Sequence, residues 1–105
     1  MSRIADSYEI QTKTLDGWVT ISECLLKDLK ETNDYVKVRL LKKDIHKVAD
    51  YQNSEIRLRT LEVNDEMTKP IAYISVGIIS WRLEDNNIIA LNNDKNILRK
   101  RELIE

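Results

Sequence analysis

The chain has 105 residues, enough for one hydrophobic core and too few for two, so we expect a single domain over residues 1–105. Its 42% hydrophobic and 33% charged content excludes an intrinsically disordered protein. The net charge of −1 excludes a large field of one sign that would hold nucleic acid or an anionic membrane, and leaves a local patch open.

Turn-forming residues are scarce, with two glycines and one proline in the chain. Because β-sandwiches and barrels use these residues at their tight turns, the scarcity favours a fold that contains helices. The fold class that we predict is α+β. It consists of a mainly antiparallel sheet with an N-terminal hairpin and two or three short helices.

The N-terminal third predicts a hairpin followed by a helix. Residues 1–7 are expected to be a flexible lead-in, and residues 8–14 alternate apolar or β-branched residues with polar ones, which predicts a strand. Asp16-Gly17 is a turn signal, and residues 18–21 predict the second strand of the hairpin. After these strands, Ser22 can cap a helix that continues to about residue 31.

The middle of the chain is ambiguous between two interpretations. Residues 35–52 fit a strand over 35–40 followed by a helix over 41–51, because valines alternate in the first part and apolar residues keep helical spacing in the second. One long helix over 35–52 is the alternative. Residues 55–63 alternate again and predict another strand.

The C-terminal third also admits two assignments at its most apolar segment. Residues 71–81 could form a helix, but their many β-branched residues and Gly77 favour a strand. A polar turn and a short return strand over 88–91 follow. A terminal helix then begins at Asn93 or Asp94 and carries Ile97, Leu98, Leu103 and Ile104.

Catalytic or metal chemistry has little support in the sequence. His46, the one histidine, lies between Lys43 and Lys47, whose charges disfavour both its protonation and metal binding. Cys24 is a lone cysteine without a basic neighbour, which indicates a buried apolar role. No glycine-rich phosphate loop or calcium-loop spacing occurs. We therefore predict no catalytic residue, no metal, no cofactor and no small-molecule substrate, so the protein is not an enzyme.

The strongest pattern lies in the C-terminal half. Residues 78–91 form an apolar run that ends on Trp81, passes a polar turn and resumes, before a leucine-bearing segment that reaches Leu103. This pattern resembles small tail-assembly (chaperone-like) and tail-accessory proteins of siphophages and myophages, in which a tryptophan, a polar turn and a short terminal helix follow in this order. Residues 17–21 and 36–41 resemble the middle of the same proteins.

The resemblance implies a non-enzymatic phage tail-assembly or virion-associated protein. Such a protein would bind other phage structural proteins, or a second copy of itself, through an apolar surface or a sheet edge. The predicted partner-binding residues are two tryptophans and two aliphatic residues near the second tryptophan: Trp81, Trp18, Ile79 and Leu83.

The alternative function is a small phage or bacterial regulator that binds a host protein or nucleic acid through basic helix faces. Lys42, Lys43 and Lys47 would make the phosphate contacts. We expect the protein in the host cytoplasm or in the virion. The sequence lacks the roughly 20 consecutive apolar residues of a membrane span, and its N-terminus lacks the apolar segment of a signal peptide.

Overall fold

The structure is a computed structural model that describes residues 2–66, 68–91 and 97–104. Within these residues, ten strands form two antiparallel sheets. The strands in chain order are β1 (Ser2–Ile4), β2 (Ser7–Thr14), β3 (Gly17–Leu25), β4 (Leu29–Glu31), β5 (Tyr35–Arg39), β6 (Ile56–Asn64), β7 (Pro70–Ile78), β8 (Arg82–Glu84), β9 (Asn87–Leu91) and β10 (Ile97–Leu103). One α-helix, α1 (Ile45–Ala49), and two 3₁₀ turns, Leu26–Asp28 and Lys42–Asp44, complete the described elements.

The larger sheet has the strand order β10-β7-β6-β2-β3, and β1 pairs with β6 beyond the end of β2. The smaller sheet has the order β4-β5-β9-β8. Apolar residues of both sheets, such as Ile10, Leu58, Val38 and Ile88, belong to one buried cluster. The hydrophobic core therefore lies between the sheets, and each sheet turns its other face outward.

The predicted α+β fold class is wrong, because the described chain is mostly antiparallel β-sheet with one short α-helix. The scarcity of glycine misled the prediction, since only the β2–β3 turn among the described turns places a glycine, Gly17, at a positive φ, and other residues serve elsewhere. Asp85 adopts a left-handed φ of 54° in the β8–β9 turn, where glycine is the usual residue. The Thr14 and Thr32 hydroxyls accept from backbone N–H groups in two other turns.

The N-terminal hairpin is confirmed, and the helix predicted after Ser22 is wrong. β2 pairs with β3 from Thr14 opposite Gly17 to Ser7 opposite Leu25. A β-bulge shifts the register next to Ile10, so Ile21 and Ser22 are both buried and the simple alternation is lost. The flexible lead-in predicted over residues 1–7 also differs from the structure, because residues 2–4 form β1, which pairs with β6.

The predicted C-terminal helix is wrong as well. Residues 97–103 form β10, which pairs along its whole length with β7. Of the predicted helical stripe, Ile97 is buried, whereas Leu98 and Leu103 are 58% and 66% exposed. Pairing with β7 overrides the helix propensity of these residues. The predicted caps, Asn93 and Asp94, lie outside the described residues.

The middle of the chain follows the preferred interpretation in part. The strand predicted over 35–40 is confirmed as β5, and one long helix over 35–52 is wrong. The helix predicted over 41–51 shrinks to a 3₁₀ turn and α1. The strand predicted over 71–81 is confirmed as β7, which ends at Ile78. No helix among the described residues is long and apolar enough to cross a membrane.

Candidate functional site

Trp81, the predicted interface anchor, lies in the core. Its side chain is 8% exposed, and its indole N–H donates to the Ser54 carbonyl oxygen at 2.9 Å. Leu83 is partly buried and packs against the same core, whereas Ile79 is 52% exposed. The structure therefore separates the predicted partner-binding residues, and Ile79 is the one that solvent reaches most easily.

Trp18 lies on the outer face of the larger sheet, where it contacts an arginine. The Arg57 guanidinium stands 4.4 Å from the centroid of the Trp18 ring, and its Nε donates to Gln11 Oε1 at 2.7 Å. These contacts join β3, β2 and β6. The pKa of Arg57 is lowered from its ordinary value, mainly by burial and secondarily by the nearby charge of Arg59.

A second arginine stacks on an aromatic ring of the same face. Arg59 stands 3.6 Å from the centroid of the Tyr73 ring, and its Nε is buried without a hydrogen-bond partner among the described residues. A shallow depression of about 370 Å³ beside it is also lined by Glu9 and Glu23. Because carboxylates border Arg57 and Arg59, the positive charge of this face is locally balanced. The two cation–π contacts therefore stabilise the packing between strands of this sheet.

Cys24 does not resemble a nucleophile. Its side chain is 4% exposed, and burial, followed by the charge of Asp28, raises its thiol pKa to about 11. The thiol is therefore protonated at neutral pH. Within the described part of the chain, no group of three or more histidine, cysteine, aspartate or glutamate side chains could hold a metal ion.

The basic residues that were predicted to contact nucleic acid lie on a short segment. Lys42, Lys43 and Lys47 are all exposed, on the 3₁₀ turn and the five-residue helix α1. Asp44 lies between them in sequence and accepts a hydrogen bond from the Ser22 hydroxyl at 2.9 Å. These lysines therefore share one loop and are not spread along an extended helix face.

The free edge of β10 is a feature that the sequence interpretation missed. The N–H of Ile104 donates to the Ile71 carbonyl oxygen at 2.9 Å, in the same register as the β10–β7 pairs. Hydrogen-bonded and non-hydrogen-bonded pairs alternate in an antiparallel ladder. The backbone N–H and C=O groups of Lys100 therefore bond to β7. Those of Arg99, Arg101 and Leu103 point the other way, toward the open side of β10 that no described strand covers.

The other described edge strands are less available than β10. β3 carries the bulge and contacts the segment around Asp44, and β1, β4 and β8 have three residues each. β10 has seven residues in regular register, and no described strand lies on its outer side. Bulges and short lengths are common protections of edges, and β10 has neither.

Ion pairs connect β10 to strands of both sheets. Arg101 makes a bidentate pair with Glu62 of β6, with N–O distances of 2.8 and 3.1 Å. Arg99 pairs with Glu31 of the smaller sheet. The Glu62 side chain is 14% exposed, and its hydrogen bonds, first from Arg101 and then from Ser2, lower its carboxyl pKa to about 2.

The sequence contained a weak signal for this edge. Leu98, Lys100 and Glu102 alternate with Arg99 and Arg101 at period two, but neither set is apolar. An edge strand that buries one residue shows no alternation of apolar and polar residues, so its sequence does not predict a strand.

No protein-family model, no curated protein and no solved structure matches the chain.

Proposed function

We propose that the protein is a non-enzymatic structural protein that assembles by strand pairing along β10, with a second copy of the chain as partner. The observation that carries the proposal is the seven-residue edge of β10, whose outward N–H and C=O groups are unpaired among the described residues. Two such edges can complete one another's hydrogen bonds in a continuous antiparallel sheet.

The charge pattern of β10 favours one antiparallel register. When the strands are centred on Arg101, that residue faces its own copy, and Lys100 of each chain faces Glu102 of the other. Lys100 and Glu102 then occupy non-hydrogen-bonded positions, where side chains approach most closely. Opposite charges at directly opposed positions stabilise a sheet.

Neighbouring registers bring like charges together. A shift that centres the pair on Lys100 sets two lysines opposite each other, and one that centres it on Glu102 opposes two glutamates, both of which are destabilising. In the register centred on Arg101, the two Arg101 side chains reach back to their own Glu62 at 2.8 Å. Their charges are therefore partly neutralised at the two-fold axis.

The outer-facing charges also limit unwanted pairing. Lysine and arginine on an edge strand oppose association with arbitrary strands. A partner must supply acidic residues at matching positions, and a second copy does so through Glu102. The phage tail setting that the resemblance implies remains a prediction, as does the choice between a chaperone and a virion component.

A proline substitution tests the proposal. Arg101→Pro removes an N–H group that points to the open side and leaves the bonds to β7 intact, because prolines are tolerated at such edge positions. Both Arg101→Pro and the control Arg101→Gln lose the ion pair with Glu62, but Arg101→Gln keeps the backbone N–H of residue 101. By sedimentation or native mass spectrometry, we expect dimers of the wild type and of Arg101→Gln, and monomers of Arg101→Pro.

A thermal melt of each variant controls for folding. A wild type that stays monomeric up to millimolar concentration would overturn the proposal. So would folded Arg101→Pro that dimerises as well as Arg101→Gln, because the interface would then lie elsewhere.

A further inference from the structure

The outer face of the smaller sheet concentrates positive charge. Along β5 and β9, the side chains of this outer face alternate with buried core residues. The strand register places one residue of each strand in a row across the sheet: Lys30, Lys37, Ile89 and Arg82. Arg39 lies next to this row on β5. The face thus carries four cations, and Glu84 is the carboxylate that shares it, although the net charge of the chain is −1.

Most of these cations have no ionic partner in the described part of the chain. Arg82 Nε pairs with Glu84 Oε2 at 3.0 Å. No described carboxylate lies within ion-pair distance of Lys30, Lys37 or Arg39. Lys30 stands directly opposite Lys37, and like charges at opposed positions destabilise a sheet. A row of cations in this arrangement fits an anionic partner.

An apolar and aromatic depression lies among the cations. It has a volume of about 220 Å³ and is lined by Tyr35, Lys37, Arg82, Ile89 and Leu91. Tyr35 is partly buried and Leu91 is 55% exposed. A flat ring such as a nucleobase can stack on the phenol and the aliphatic side chains while its phosphates reach the cations.

We propose that this face binds single-stranded nucleic acid, with phosphates on the cations and a base in the depression. The row from Lys30 to Arg82 crosses three strand spacings, about 14 Å at ~4.8 Å each. A small anion cannot contact cations over that distance, whereas a chain of phosphates can. A sheet of four strands is also wider than the major groove of about 12 Å, which favours a single strand over a duplex.

The strongest competing occupant is an anionic membrane surface. Stable interfacial binding depends on a large buried apolar area as well as on cations. The apolar part of this face is small, since Ile89 is partly buried and Leu91 alone is strongly exposed. The observations therefore favour the nucleic acid.

The test measures binding of a fluorescent oligothymidylate of about 15 nucleotides, a length near the upper site sizes of single-strand binding domains. If about four phosphates are contacted, each contributes roughly −0.7 to the slope of log K against log salt. We then expect affinity to fall roughly 50-fold between about 50 and 200 mM salt.

Two double variants with the same charge change locate the site. Lys37→Gln/Arg82→Gln should weaken binding at least about 10-fold and flatten the salt slope by about 1.4, as expected for two lost phosphate contacts. Lys42→Gln/Lys47→Gln, on the 3₁₀ turn and α1, should stay within about twofold of the wild type.

Three results would overturn the proposal. The first is no binding at about 50 mM salt. The second is an equal loss in both double variants, or a larger loss in Lys42→Gln/Lys47→Gln. The third is binding to phosphatidylserine vesicles at protein concentrations that leave the oligonucleotide free. Thermal melts establish that both variants are folded.

Discussion

At the scale of single residues, Trp81 shows how an interface candidate can be a core residue. We expect Trp81→Ala to lower the free energy of unfolding by about 3–5 kcal/mol, because it removes a large buried side chain, and its bond to Ser54 is lost as well. Ile79→Ala, at a neighbouring exposed position, should change it by less than about 0.5 kcal/mol. Urea unfolding of both variants measures the difference, and equal effects would contradict the buried position of Trp81.

Glu62 predicts a particular dependence of stability on pH. Its carboxyl pKa is lowered from an ordinary value of 4.5 to about 2 in the fold. Its contribution to stability is therefore complete above the ordinary pKa and is lost as pH falls from about 4.5 toward 2. We expect Glu62→Gln to have a lower Tm than the wild type at pH 7, with the difference shrinking as pH approaches 2. A difference that is constant over this range would contradict the Arg101–Glu62 pair.

At the scale of elements, the two glycines should respond differently to alanine. Gly17 has a φ of +112° and no atom within 4 Å of the position that a Cβ would take, so Gly17→Ala adds backbone strain without a clash. We expect a loss of about 1–2 kcal/mol. In Gly77→Ala the new Cβ would lie 3.5 Å from the Leu98 carbonyl oxygen, an ordinary contact. Its effect should stay within about 0.5 kcal/mol, and thermal melts distinguish the two.

The same scale shows what the sequence could and could not predict. β2 and β5 are predictable because apolar or β-branched residues recur at every second position and most of them are buried. β7 is predictable from its many β-branched residues and Gly77, which disfavour a helix. β3 is only partly predictable, since its bulge places Ile21 and Ser22 both inside. β10 is not predictable from its own residues, because its strand conformation depends on β7, a partner about 25 residues away in sequence.

The candidate surfaces were predictable to a similar degree. Lys37 and Arg39 alternate with Val36 and Val38, so the sequence alone places both cations on one strand face. Lys30 and Arg82 join that face through strand pairing that no local pattern indicates. The open side of β10 is likewise a product of topology.

At the scale of the whole molecule, the two proposals are geometrically compatible. A two-fold axis that pairs β10 with its copy runs perpendicular to the larger sheet, so equivalent faces of the two copies point the same way. The basic faces of both smaller sheets would then lie on one side of the dimer. We expect such a dimer to bind an oligonucleotide that spans both faces more tightly than the monomeric Arg101→Pro variant does, because the second contact becomes intramolecular.

Disulfide cross-linking tests the β10 pairing most directly. With Cys24 replaced by alanine, Arg101→Cys places one thiol per chain on the two-fold axis, where opposed Cα atoms lie about 5.5 Å apart and a disulfide can form. Leu103→Cys is the control, since residue 103 is 66% exposed but faces residue 99 of the other copy. The proposed β10 pairing predicts rapid formation of covalent dimers by Arg101→Cys and little by Leu103→Cys under mild oxidation. Equal rates, or no dimer from Arg101→Cys, would contradict it.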